Sequence, residues 1–129
     1  MKGKFKLKHL VSFLSDVEPF KDPKWKLEQY CTTPEVTAGM FDEIGNIDDN
    51  ILGKIVGDFC CGTAAYCIAA SYFEPAQIIG IDIDQDALDT ATENIEHYEL
   101  EDEVMLMQGD IIEKLYQPKS GQEKKVDLK

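Results

Sequence analysis

Lys54-Ile55-Val56-Gly57-Asp58-Phe59-Cys60-Cys61-Gly62-Thr63-Ala64 decides the fold of this chain. The apolar run from Lys54 to Phe59 has the length of a buried strand, Cys60 to Thr63 makes a tight turn, and Ala64 to Phe73 continues as a helix of small residues. Downstream, Gln77 to Ile83 reads as a second buried strand. A helix then starts at Asp84, with Ala87, Leu88, Ala91, Ile95 and Tyr98 at helical spacing. Asp84, Asp86 and Asp89 suit its electropositive N-terminal end. Glu103 to Gln108 reads as a third strand, and Val126-Asp127-Leu128 as the opening of a fourth. Strands alternating with helices predict an α/β fold with a parallel sheet. Right-handed crossovers carry the second and third strands successively outward from the first.

Upstream, Leu7, Leu10, Val11, Leu14 and Val17 form a helical stripe within Lys6 to Phe20, which Asp22-Pro23 breaks. Glu28 to Pro34 reads as a loop, with Thr33 as N-cap and Pro34 as the first residue of a helix that runs to about Ile44 and stops at Gly45. The chain thus divides into an N-terminal helical segment with its loop, residues 1–45, and a sheet domain, residues 46–129.

Apolar residues make up 43% of the 129, enough for a packed core. The net charge of -12 is unevenly spread. Lys2, Lys4, Lys6, Lys8, Lys21, Lys24 and Lys26 crowd the start, Lys54 is alone between Cys31 and Glu113, and there is no arginine. Such a body is unsuited to gripping nucleic acid non-specifically. RNA contact would need the lysine-rich start, a further segment or a partner; the start reads equally well as a solvated amphipathic helix. Adjacent Cys60 and Cys61 do not readily bridge, and no signal-like apolar run follows the first lysines, so reduced thiols in a nuclear or cytoplasmic compartment are expected. The cysteines lack the paired spacing of a zinc site, so no metal is expected, and no apolar stretch reaches membrane-spanning length.

The turn after the first strand would let backbone approach a ligand closely beside a helix end, with Gly62 adding no side chain there. Asp82 follows Gly62 by twenty residues, at the end of the second strand, where a carboxylate accepts hydrogen bonds from ribose hydroxyls. The G-x-G-x-x-G pattern of a nicotinamide site is absent, which disfavours a pyrophosphate ligand. S-adenosylmethionine has no phosphate, and its positive end would suit the acidic wall of Asp58, Asp82 and Asp110. Asp110 can accept the amine of an adenine whose ring Ile111 covers, or it can cap the helix from Ile111 to Tyr116; the two roles are compatible.

Leu27-Glu28-Gln29-Tyr30 with Thr32 and Pro34, Asp58 to Thr63, Gly80-Ile81-Asp82-Ile83-Asp84, Asp86-Ala87-Leu88 and Asp110 together resemble the methyltransferase-like protein 5 family of ribosomal RNA adenine-N6 methyltransferases. The resemblance covers nearly the whole chain and about the first three-fifths of the family's usual length. It implies a Rossmann-like class I methyltransferase fold and S-adenosylmethionine as cofactor. It places Gln29 and Thr32 in a loop that closes over the cofactor, and Cys60, Thr63 and Ala65 around the methionine and ribose. Asp82 would take the ribose, and Asp110 with Ile111 the adenine. It also implies ribosomal RNA as substrate and, as partner, a small zinc-containing activator protein on an exposed sheet edge. The strand from Val104 to Met107 would be that apolar edge.

Two departures stand out. The family's Gly-Cys-Gly-Cys-Gly is here Cys60-Cys61-Gly62-Thr63-Ala64, and Cys31 replaces a proline. The family's Asn-Pro-Pro-Phe, which orients the target amine at the end of the fourth strand, does not occur in these residues. By the resemblance it would stand beyond Lys129, so no catalytic residue is assigned. The expectation is a truncated methyltransferase that is inactive alone and of marginal stability. The alternatives are a non-catalytic product that binds only cofactor or activator, and a nicotinamide-binding domain.

Overall fold

The computed structural model describes residues 6–46 and 50–115. Lys2, Lys4, the expected helix end at Tyr116 and the expected fourth strand at Val126-Asp127-Leu128 lie outside the described residues. So does Lys129, the position past which the catalytic signature is expected, and the structure therefore does not bear on that signature. Helix α1 spans Leu7–Leu14 and α2 Pro34–Asn46, with a 3-10 turn at Trp25–Leu27 between them. Strand β1 (Ile55–Phe59), α3 (Ala65–Ser71), β2 (Gln77–Asp82), α4 (Gln85–His97), β3 (Val104–Gln108) and α5 (Ile111–Leu115) follow in alternation.

The sheet is parallel, in the order β1-β2-β3, with Val56 opposite Ile78 and Ile78 opposite Val104. Two right-handed steps in the same direction put α3 and α4 on one face. Burial follows that asymmetry. Ile78 and Val104 are buried on the helical face, whereas Ile55, Phe59, Met105 and Met107 on the other are 73%, 50%, 51% and 37% exposed. Strand β3 is an edge among the described residues, as its sequence leads one to expect.

Leu10 and Leu14 of α1 and Ala38 and Phe41 of α2 join Ile68, Ile78, Leu88, Ile95 and Val104 in one core. The N-terminal segment is therefore packed against the sheet domain rather than hung from it. Each such leucine or isoleucine contributes roughly 1.5–3 kcal/mol by leaving water.

Two boundaries differ from the sequence reading. The first helix ends at Leu14 and not near Phe20, because Ser15 turns its hydroxyl onto the Ser12 carbonyl and Pro19 has no N–H to continue the ladder. Val17 keeps the helical spacing but leaves the helix to border a cleft. Gly45 does not stop α2, which continues to Asn46. A Cβ at Gly45 would lie 2.3 Å from the Phe73 ring, so the glycine admits that ring between α2 and α3. Thr33 caps α2 as expected, its hydroxyl accepting the Val36 N–H at 3.3 Å.

Buried Asn94 on α4 anchors the segment after α1. Its Oδ1 accepts the Glu18 N–H at 2.8 Å, while its Nδ2 donates to the Glu18 carbonyl at 3.0 Å and the Thr63 carbonyl at 2.9 Å. Asn94→Ala strips partners from three backbone groups and is expected to destabilise the protein by about 3 kcal/mol in urea unfolding. A loss below about 1 kcal/mol would show that the strap is held elsewhere.

Candidate functional site

The turn after β1 adopts an alternating left-handed backbone. Cys60, Gly62 and Ala64 have φ of 67°, 55° and 72°. This conformation suits glycine, and it explains why the resembling family has glycine at all three positions. Cys60 and Ala64 each hold it at a cost of about 1 kcal/mol. The bends bring the turn back over the sheet, with the Cys61 N–H on the Ile81 carbonyl at 2.9 Å.

Asp82 closes the arrangement. Its Oδ2 accepts the Gly62 N–H at 2.8 Å and its Oδ1 the Asp84 N–H at 2.9 Å. Its own carbonyl accepts the Gly109 N–H at 2.9 Å. The loops after β1, β2 and β3 are thus all tied to the end of β2. Each carboxylate oxygen retains a lone pair for a further donor.

Above these loops lies a cleft of about 810 Å³. The switch from strand to helix at the carboxyl ends of a parallel sheet is where α/β proteins bind ligands. Gln29, Thr32, Cys60, Gly62, Thr63, Ala65, Asp82, Asp110 and Ile111 all border it. Asp58 does not. Its side chain lies on the helical face and accepts a hydrogen bond from the Cys67 thiol at 3.4 Å. Burial, only partly offset by that thiol and reinforced by Asp82, pushes its carboxyl up to about 6. Of the expected acidic wall, Asp82 and Asp110 border the cleft and Asp58 stands behind it, while Glu18 and Glu28 border the cleft as well.

Gln29 borders the cleft, but its amide holds the loop. Its Nε2 donates to Asp84 at 2.6 Å and its Oε1 accepts the Lys24 N–H at 2.8 Å. The Lys24 ammonium bonds Asp84 and, at 2.8 Å, Asp86. Burial alone would raise the Asp84 carboxyl, but these bonds outweigh it and hold it below its ordinary value. The latch grips the N-terminal turn of α4, so the roof of the cleft is fastened to its floor. Asp110 caps α5 through Oδ1, which accepts the Ile112 N–H at 2.9 Å, and a carboxylate has acceptor capacity beyond that bond. Ile83, 53% exposed beside Asp82, joins Ile111 and Ile112 as an apolar platform for a flat ring. Burial, then the charges of Asp82 and Asp58, raise the Cys60 thiol, which keeps it neutral rather than nucleophilic.

Three participants escaped the sequence reading. Tyr66 sets its hydroxyl 3.1 Å from that of Thr32 across the cleft mouth. Thr37, one helical turn beyond the cap Thr33, also borders the cleft. Lys24 had no local signal, since its partners are sixty residues away.

Comparison with known proteins locates the chain. The family model for ribosomal protein L11 methyltransferase (PrmA) matches residues 36–128. The rRNA N(6)-adenosine-methyltransferase METTL5 of Danio rerio is 42% identical over 95 residues, 74% of this chain and 46% of that protein. Its Drosophila melanogaster counterpart is 36% identical over 98 residues, 76% of this chain and 46% of that one. The chain spans about half the length of these relatives. The structure of a Pyrococcus horikoshii protein designated an RNA methyltransferase superposes with a TM-score of 0.77 at 28% identity, covering 85% of this chain and 53% of that one. These matches bear out the resemblance read from the motifs and the Rossmann-like methyltransferase fold.

Two outcomes follow from the site. Ala64→Gly relieves the left-handed strain and is expected to stabilise the protein by about 0.5–1 kcal/mol in thermal unfolding, after the backbone entropy of glycine is set against it. A destabilised variant would mean that the alanine methyl packs too well to lose. The buried Asp58 carboxyl has a raised pKa, so its favourable neutral state persists below the unfolded value near 4 and is lost as pH climbs through about 6. Asp58→Asn should match the parent at pH 4 and exceed it by roughly 2 kcal/mol at pH 8, read as denaturation midpoints. Equal midpoints at both pH values would refute the burial assignment.

Proposed function

The chain belongs to the ribosomal protein L11 methyltransferase (PrmA) family, and from that premise we propose that it is the cofactor-binding part of a ribosomal RNA adenine-N6 methyltransferase. S-adenosylmethionine is the cofactor, and it supplies a methyl group on a positively charged sulfur. What supports this reading above all is that the residues singled out for the cofactor, Asp58 excepted, border one cleft with their loops tied to the end of β2.

The residues fit such a ligand. The cleft has the volume of a small-molecule site, and Asp82 has spare acceptor capacity for two ribose hydroxyls. Asp110 accepts the adenine amine while Ile83 and Ile111 cover its ring. The β1 turn brings backbone to the methionine, beside a Cys60 thiol that stays neutral. Asp82 and Asp110 favour the positive sulfur over the neutral product, which helps the product leave. Catalysis is then mostly positioning, with the target amine held in line with the methyl group. No residue from Met1 to Lys129 corresponds to the family's Asn-Pro-Pro-Phe, so none of them is assigned a role in holding the target amine.

The edge of β3 fits the small zinc-containing activator. Met105 and Met107 are exposed there, and a strand edge with apolar neighbours favours pairing with another chain. The four free thiols suit a reducing compartment, nuclear or cytoplasmic. A ribosomal protein is the second reading of the target, favoured by the description of the matched family.

The test is transfer of a tritiated methyl group from S-adenosylmethionine to small ribosomal subunits, by the full-length protein with its activator. Label in RNA that digests to N6-methyladenosine is expected. Label in protein would select the second reading, and no label from an enzyme with cofactor demonstrably bound would refute both.

A further inference from the structure

The segment from Lys24 to Gln29 folds into a small clamp. The 3-10 turn Trp25–Leu27 ends at Glu28, whose φ of 50° is left-handed, and after this reversal the Gln29 Oε1 accepts the Lys24 N–H at 2.8 Å. The clamp presents two donors to one carboxylate. The Lys24 ammonium donates to one Asp84 oxygen and the Gln29 amide to the other, the latter at 2.6 Å. The same ammonium donates to Asp86 at 2.8 Å. Lys24, Asp84 and Asp86 do not border the cleft, whereas every residue from Leu27 to Pro34 does. The cleft's roof is therefore held from outside the cleft.

Two features make the clamp weak enough to open. The Lys24 side chain is 40% exposed and that of Asp86 79%, and ion pairs open to water contribute little. Glu28 holds a left-handed backbone that strains any residue with a side chain, and release of the clamp relieves it. The other end of the roof runs into α2, which Thr33 caps. We propose that Lys24 gates exchange of the cleft's ligand, as a positioning residue that keeps the roof from Leu27 to Pro34 down on Asp84 and Asp86. This rests on the reading that the ligand is S-adenosylmethionine. Opening of such a segment sets the rates of ligand entry and product release. Because one gate limits both directions, Lys24 governs how fast the cofactor exchanges far more than how tightly it binds.

The experiment measures association and dissociation rates of S-adenosylhomocysteine by surface plasmon resonance on the full-length protein and its Lys24→Met, Lys24→Arg and Asp86→Asn variants. Lys24→Met is expected to raise both rates about five-fold and leave the dissociation constant nearly unchanged. Asp86→Asn, at an exposed side chain outside the cleft, should raise both rates by a smaller factor, and Lys24→Arg should stay close to the parent. Added salt screens the pair, so it should speed exchange in the parent and not in Lys24→Met. A residue that only supports the fold would raise neither association nor its salt dependence. Unchanged rates in Lys24→Met and Asp86→Asn, or faster dissociation with association unchanged or slower, would overturn the gate and leave the cofactor reading intact. Failure of the parent to bind S-adenosylhomocysteine would overturn both.

Discussion

The Asp82 carboxylate accepts the Gly62 N–H with one oxygen and the Asp84 N–H with the other, and the geometry of the cleft depends on this pair of bonds. The first fixes the turn after β1 against the end of β2. The second sets the entry to α4, where Asp84 in turn receives Lys24 and Gln29 from the N-terminal loop. A buried carboxylate is tolerated in a sheet core only when hydrogen bonds replace water. Here backbone donors replace it in part and leave acceptor capacity on each oxygen. The same group therefore holds the fold together and stands at the border of the cleft.

The β1 turn shows how much such a site bears. Its alternate residues need left-handed backbone, and two of the three lack glycine's freedom. The turn persists because its surroundings over-determine it, with Asp82 on one side, Asn94 through the Thr63 carbonyl on another, and the Phe20 ring 2.6 Å from where a Gly62 Cβ would stand. The strap from Ser15 to Phe20 thus belongs to the site as much as the strands do.

The sheet has a covered and an open face for a topological reason. Both crossovers step the same way, so their helices share a face, and the opposite one shows Ile55, Phe59, Met105 and Met107 to solvent. An apolar face of this kind is suited to burial against another element or chain.

The sequence by itself determined the alternation of strands and helices, because apolar runs bounded by small-residue turns carry that information locally. Spacing singled out Asp82 and Asp110, and the family resemblance the Gln29 to Thr32 loop, which the structure brings to one cleft. The sequence reading overextended the first helix because Val17 keeps a helical period for a different purpose, and it took Gly45 for a stop because a glycine's packing partner, Phe73, is invisible along the chain. Only the tertiary structure decided that Asp58 turns away from the cleft, since the alternation of side chains along β1 selects a face only once the helices have chosen theirs. Only it brought Lys24 to Asp84 and Asn94 to Glu18. These are contacts between residues distant in sequence or opposite in environment, and no local pattern of residue types encodes them.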